Sequence, residues 1–97
     1  MRSVTPLSEA AIQKQIIKAL DKEGWTCVKL IQTSMNGMPD LLCLRAGIAM
    51  FIEVKSETGK ASRMQLHRIQ QLKMNCFGAY VVSSVKQLYI MGLIDEL

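Results

Sequence analysis

Two apolar runs, Leu41 to Arg45 and Ile48 to Lys55, meet at Ala46-Gly47, and this spacing constrains the fold more than any other feature of the chain. Two strand-like runs joined at a glycine read as a β-hairpin, with Gly47 suited to a positive φ. Ile48-Ala49-Met50-Phe51-Ile52 is apolar at successive positions, the pattern of a central strand covered on both faces.

The flanking segments supply the covers. Ile12, Ile16 and Leu20 recur at helical spacing between an N-cap at Ser8 and a stop at Gly24, predicting a helix over 9–23. Trp25 to Gln32 reads as a strand, and the segment 33–38 as a loop. Pro39 belongs at the edge or start of the next strand, where its missing N–H does no harm. Ser62 and Gln65 form a capping-box signature before a helix over 63–75, closed by Gly78. A short strand over 79–83 follows, then Ser84 and Gln87 repeat the capping signature before a last helix over 85–91. The order is αβββαβα: an α/β fold with a mixed sheet, flanked by helices, and the hairpin at its middle.

The 97 residues make one domain, 1–97. Only five aromatics are present, so aliphatic and methionine side chains must fill the core, and the seven methionines read first as space fillers. No apolar run is long enough to span a membrane, and Met1 to Pro6 lacks the apolar stretch of a secretory leader. These features point to a cytoplasmic protein. Cys27, Cys43 and Cys76 are odd in number and widely spaced, as expected of reduced, buried thiols and not of a disulfide framework or zinc site. A net charge of +4 favours a polyanionic partner without specifying one.

The chemistry sits at the outer end of the hairpin. With a two-residue turn at Ala46-Gly47, Arg45 faces Ile48, and counting outward places Asp40 opposite Glu53. Directly opposed residues share a face with Cβ atoms about 5 Å apart. Lys55, two residues beyond Glu53, shares that face too. Two carboxylates so placed repel, and a divalent cation resolves the repulsion. Mg²⁺ suits one or two carboxylates completed by water and phosphate oxygens. Such an ion can acidify a water and polarise a phosphate, while a lysine neutralises charge developing on it. The competing interpretation is a cross-strand salt bridge. Charge interrupting a buried apolar strand is costly unless paired or metal-bound, and this favours the functional interpretation.

Glu9 lies on the apolar stripe of the first helix and could reach a metal directly or through water; as a carboxylate at a helix N-terminus it is equally explained by the dipole. Gln65 lies on a stripe with Ile69, Leu72 and Cys76 that points to the sheet, but on spacing alone its capping role leads. Lys60 and Arg63 fall near the same end and could contact phosphates; Arg68 and Lys73 read as a solvated face, and His67 as a surface residue.

At these residues the chain resembles the PD-(D/E)XK nuclease superfamily, and within it the small stand-alone form of the VRR-NUC family. The pieces are Glu9 with Ile12-Gln13, Gly37-Met38-Pro39-Asp40-Leu41-Leu42, Phe51-Ile52-Glu53-Val54-Lys55, then Gly59-Lys60, Ser62 and Gln65. They cover nearly the whole chain in the family's order. The resemblance implies a restriction-endonuclease-like αβββαβα core and Mg²⁺- or Mn²⁺-dependent phosphodiester hydrolysis. It assigns metal binding to Asp40 and Glu53, catalysis to Lys55, and supporting roles at the catalytic site to Glu9 and Gln65. It adds the backbone carbonyl of Val54 as a further metal ligand. Small members resemble enzymes acting on branched DNA such as Holliday junctions, whose paired scissile strands suit a homodimer. Met91, Leu93 and Ile94 are candidate dimer-surface residues.

Two alternatives remain open at this point. One is a non-catalytic DNA-binding module that retains the nuclease fold. The other is a generic α/β interaction domain with structural salt bridges.

Overall fold

In a computed structural model, which describes residues 6–97, the chain runs α1 (Glu9–Lys22), β1 (Thr26–Lys29), β2 (Leu41–Arg45), β3 (Ile48–Val54), α2 (Arg63–Met74), β4 (Gly78–Val82) and α3 (Val85–Ile90). The N-terminal stretch Met1 to Thr5, read above as lacking a leader, lies outside the described residues. The expected αβββαβα order is the observed one. The sheet has the order β1-β2-β3-β4, with antiparallel pairing at the first two interfaces and parallel pairing of β3 with β4. The two-residue turn makes the antiparallel hairpin, and the α2 crossover lets β4 return parallel to β3.

Alternation along the strands divides the side chains between two layers. Leu41, Cys43, Met50, Ile52, Val54 and Val82 pack with Ile12, Ile16 and Leu20 of α1, Leu88 of α3 and Ile94. On the other face, Ile69 of α2 and Ala79 of β4 are buried, and Phe51 meets Phe77 edge to face at 6.0 Å. The central strand β3 is thus covered on both sides. Among the described residues, no helix is long and apolar enough to cross a membrane.

Each helix ends in the same way. The N–H of Gly24, Cys76 and Gly92 bonds back to Asp21, Lys73 and Tyr89, and the N–H of Trp25, Phe77 and Leu93 to Leu20, Leu72 and Leu88. This paired pattern is a Schellman motif, with an apolar residue at each end of the longer bond. It corrects two expectations. Gly78 does not close α2; Cys76 takes the left-handed position, at φ 67°, and Gly78 opens β4. Trp25 belongs to the end of α1, so β1 begins only at Thr26. It ends at Lys29, far short of Gln32, because its neighbour β2 begins only at Leu41.

Other details also differ from expectation. At the hairpin, both Ala46 (φ 48°) and Gly47 (φ 78°) are left-handed, as a type I′ turn requires. The second capping signature is displaced by one residue: Ser84 accepts from the Gln87 N–H, but Gln87 Oε1 accepts from the N–H of Ser83. Met50 is buried, whereas Met35, Met64, Met74 and Met91 are exposed, so the methionines are mainly surface residues and not core fillers. Cys76 is exposed, off the buried stripe of α2, while Cys27 and Cys43 face each other across β1 and β2 as free thiols. Burial pushes the pKa of both of these thiols up. Ile94 is buried in the protein's own core, which removes it from a dimer surface; Leu93 is partly buried against that core, and Met91 is exposed.

Candidate active site

The β2–β3 register is the one expected from the turn. Arg45 pairs with Ile48 and Leu41 with Ile52, which continues to Asp40 opposite Glu53. Both carboxylates emerge on the α2 face of the sheet, and Lys55 follows on the same side. Glu53 is 1% exposed, the one fully buried charged residue among those described. Its Oε2 lies 3.2 Å from Lys55 Nζ and accepts a 3.0 Å hydrogen bond from Gln65 Nε2. Its Oε1 is buried without a hydrogen-bond partner. Burial, then the neighbouring charge of Asp40, raise the Glu53 pKa to about 7, against the opposing pull of Lys55.

Pro39 explains how Asp40 is held. In the continued register Pro39 stands opposite Val54, and it has no N–H for the Val54 carbonyl. The ladder breaks there. The Val54 N–H donates instead to Asp40 Oδ2, at 2.8 Å. A residue's N–H and C=O point to the same edge of a strand, so the Val54 carbonyl faces the Asp40 side as well. Gly37 anchors the preceding loop. It has φ 79°, and a Cβ there would come within 2.6 Å of Met64 Cγ and 2.8 Å of the Met64 carbonyl oxygen. Arg68 completes the clamp by donating from Nε to the Asn36 carbonyl at 2.7 Å and from Nη1 to Gln71 at 2.8 Å. It is therefore a loop-holding residue and not part of a solvated face.

Gln65 unites the two roles that spacing kept apart. Its Oε1 accepts from the Ser62 N–H at 2.8 Å, and its own N–H donates to Ser62 Oγ at 3.1 Å, which closes the capping box. The cap fixes which amide atom points inward, leaving Nε2 to hold Glu53. Glu9 stands further off. It is exposed, and its Oε1 lies 3.3 Å from where a Cβ on Gly59 would sit, against the loop that follows Lys55. Among the described residues, no third His, Cys, Asp or Glu joins Asp40 and Glu53 in a cluster able to hold a metal. Lys60 and Arg63 are exposed, on the β3–α2 loop and the first residue of α2, while Lys73 and His67 lie exposed further along that helix.

The site thus gathers Asp40, Glu53, Lys55 and Gln65, with the Val54 carbonyl beside them. Sequence reasoning missed the roles of Pro39 as a ladder breaker and of Arg68 as a clamp. The first was signalled by a proline placed opposite a β3 residue; nothing local signalled the second.

A family model for the VRR-NUC domain matches residues 3–86. A solved structure described as a VRR_NUC domain shares 28% identity and superposes with a TM-score of 0.78, covering 90% of this chain and 97% of that one. No curated protein sequence is significantly similar to the chain.

Proposed function

We propose that this chain, which belongs to the VRR-NUC family, is a Mg²⁺- or Mn²⁺-dependent endonuclease that hydrolyses phosphodiester bonds in DNA. The family is of nuclease type, and the observation that carries the finer reading is Glu53 Oε1. A buried carboxylate oxygen without a partner, beside a second carboxylate, fits a divalent cation better than it fits a closed salt bridge. Asp40, Glu53 and the Val54 carbonyl would hold the ion; two carboxylates are enough for Mg²⁺, which keeps several waters. Glu9 would act through one of those waters and not as a direct ligand. When bound, the ion would supply Lewis-acid polarisation of the phosphate and acidify a water.

The chain's own groups do the rest. The Val54 N–H fixes the Asp40 carboxylate, and the Gln65 amide fixes that of Glu53, so both face one point without reorganising. Lys55, only partly buried, offers an ammonium to charge developing on the phosphate, or orients the attacking water. Lys60 and Arg63 would contact flanking phosphates. Branched DNA such as a Holliday junction is the proposed substrate and a homodimer the proposed working form, since one small protomer presents little surface for reading a junction.

The test is a cleavage panel of labelled four-way junction, flap, duplex and single-stranded DNA with Mg²⁺, Mn²⁺ or chelator. Metal-dependent, symmetric nicking of the junction that disappears in Lys55→Ala is the expected result. Tight DNA binding with no product under any metal would instead identify a non-catalytic binding module, and light scattering would decide the oligomeric state.

A further inference from the structure

A groove of about 550 Å³ runs between α1 and β1, lined by Ala10, Ala11, Gln13, Lys14, Ile17 and Lys29. It opens at the catalytic end of the sheet. Lys29 is the last residue of β1 and pairs with Leu41, which pairs in turn with Ile52, the neighbour of Glu53. The next N–H, that of Leu30, donates to the Asp40 carbonyl at 2.8 Å. At the other wall, Ala10 and Ala11 directly follow Glu9, whose carboxylate rests against the Gly59 loop that carries Lys60. The groove nevertheless lies on the opposite layer from α2. Lys29 shares a face with Leu41 and Ile52, whereas Asp40 and Glu53 project from the other side.

Its chemistry is that of an anion track. Two alanines leave the α1 wall low near the helix start. Lys14 and Lys29 are both exposed, no carboxylate lines the groove, and among the described residues neither lysine forms a salt bridge. Lys18, one turn beyond Lys14, is exposed as well and extends the positive stripe. A concave surface lined by one sign of charge focuses potential and concentrates a polyanion. Solvated, unrelated lysines would more often be scattered over convex surface.

We propose that the α1–β1 groove binds the DNA sugar-phosphate backbone through Lys14 and Lys29, so that the DNA straddles the end of the sheet between this groove and Lys60 and Arg63. The inference rests on the DNA-hydrolase reading above and extends its contact surface to a second layer of the protein.

The salt dependence of DNA binding tests it. Binding of a labelled junction would be measured by fluorescence anisotropy in chelator, from about 50 to 200 mM salt. The proteins are wild type, Lys14→Gln/Lys29→Gln, and a charge-matched control, Lys73→Gln/Lys86→Gln, altered on α2 and α3. Each phosphate-bound lysine adds about 0.9 to the salt slope, so the groove variant should lose about 1.8. Its affinity should then fall roughly 12-fold less than that of wild type across that salt range. The control should keep the wild-type slope. A groove variant that matches wild type, or a control that loses as much, overturns the groove while leaving the DNA reading intact. A wild-type protein that binds no DNA overturns both.

Discussion

Replacing Glu53 with glutamine should stabilise the metal-free protein above neutral pH, although it removes a salt bridge. Glu53 has a pKa raised from 4.5 to about 7 in the folded protein. A raised acid pKa means that the folded state binds the proton more tightly than the unfolded state does. Stability therefore falls as pH rises from about 4.5 and levels off above about 7. At about 1.4 kcal/mol per pKa unit, ionisation costs the folded protein roughly 3 kcal/mol. Glutamine does not titrate and escapes this cost. Some of the gain is lost because Lys55 no longer has its counter-ion, so a net of roughly 1–3 kcal/mol is expected at about pH 8. For a domain of this size that is about 5–20 °C in Tm. The assay is urea denaturation of wild type and Glu53→Gln in chelator, from about pH 5 to 8, read as the difference between the two proteins so that other titrating groups cancel. The difference should grow with pH and flatten above about 7. Adding Mg²⁺ should then stabilise wild type, by about 2.7 kcal/mol at a hundredfold excess over Kd, and leave the variant unmoved. A pH-independent difference, or a variant less stable than wild type at pH 8, would refute the claim that Glu53 is held in a destabilising ionised state.

Four further outcomes follow from the same geometry. Gln65→Glu keeps an oxygen for the Ser62 N–H but sets a carboxylate against Glu53, so helicity should survive while half-maximal cleavage moves to higher pH; an unchanged pH profile would count against the Gln65–Glu53 contact. Pro39→Ala supplies an N–H to the Val54 carbonyl, and isothermal titration should show weaker Mg²⁺ binding without loss of stability. Gly37→Ala forces a methyl onto Met64 at a left-handed backbone position and should destabilise by more than about 2 kcal/mol, read by denaturant midpoint. Cys76→Gly and Ala46→Asn each relieve a left-handed non-glycine residue and should raise stability by about 0.5–1 kcal/mol, with no effect on DNA cleavage.

The register of the candidate site was legible because it depends on one short-range fact, the length of the turn at Ala46-Gly47. Once Arg45 faces Ile48, the pairing of Asp40 with Glu53 is arithmetic, and Lys55 follows from the two-residue period of a strand. What stayed hidden depends on which group wins a competition that spacing cannot rank. Cys76 takes the left-handed position at the end of α2 because Phe77 and Leu72 offer the bond that fixes it, while the glycine two residues later was needed to begin β4. Arg68 leaves solvent because the Asn36 carbonyl lies within reach only after Gly37 lets the loop settle on α2. Gln65 was read as a cap or as a site residue, when the amide has one end for each. These cases share a cause. The motif residues around Asp40 and Glu53 act less by carrying charge than by deciding where the backbone stops pairing: Gly37 admits the loop, Pro39 ends the ladder by offering no N–H to the Val54 carbonyl, and the Asp40 carboxylate accepts the Val54 N–H. The break denies the Val54 carbonyl a ladder donor from Pro39, next to Glu53, whose Oε1 is buried without a hydrogen-bond partner. A buried carboxylate oxygen without a partner, beside a second carboxylate, is costly in a purely structural salt bridge. That cost is what supports the proposal that the site receives a cation.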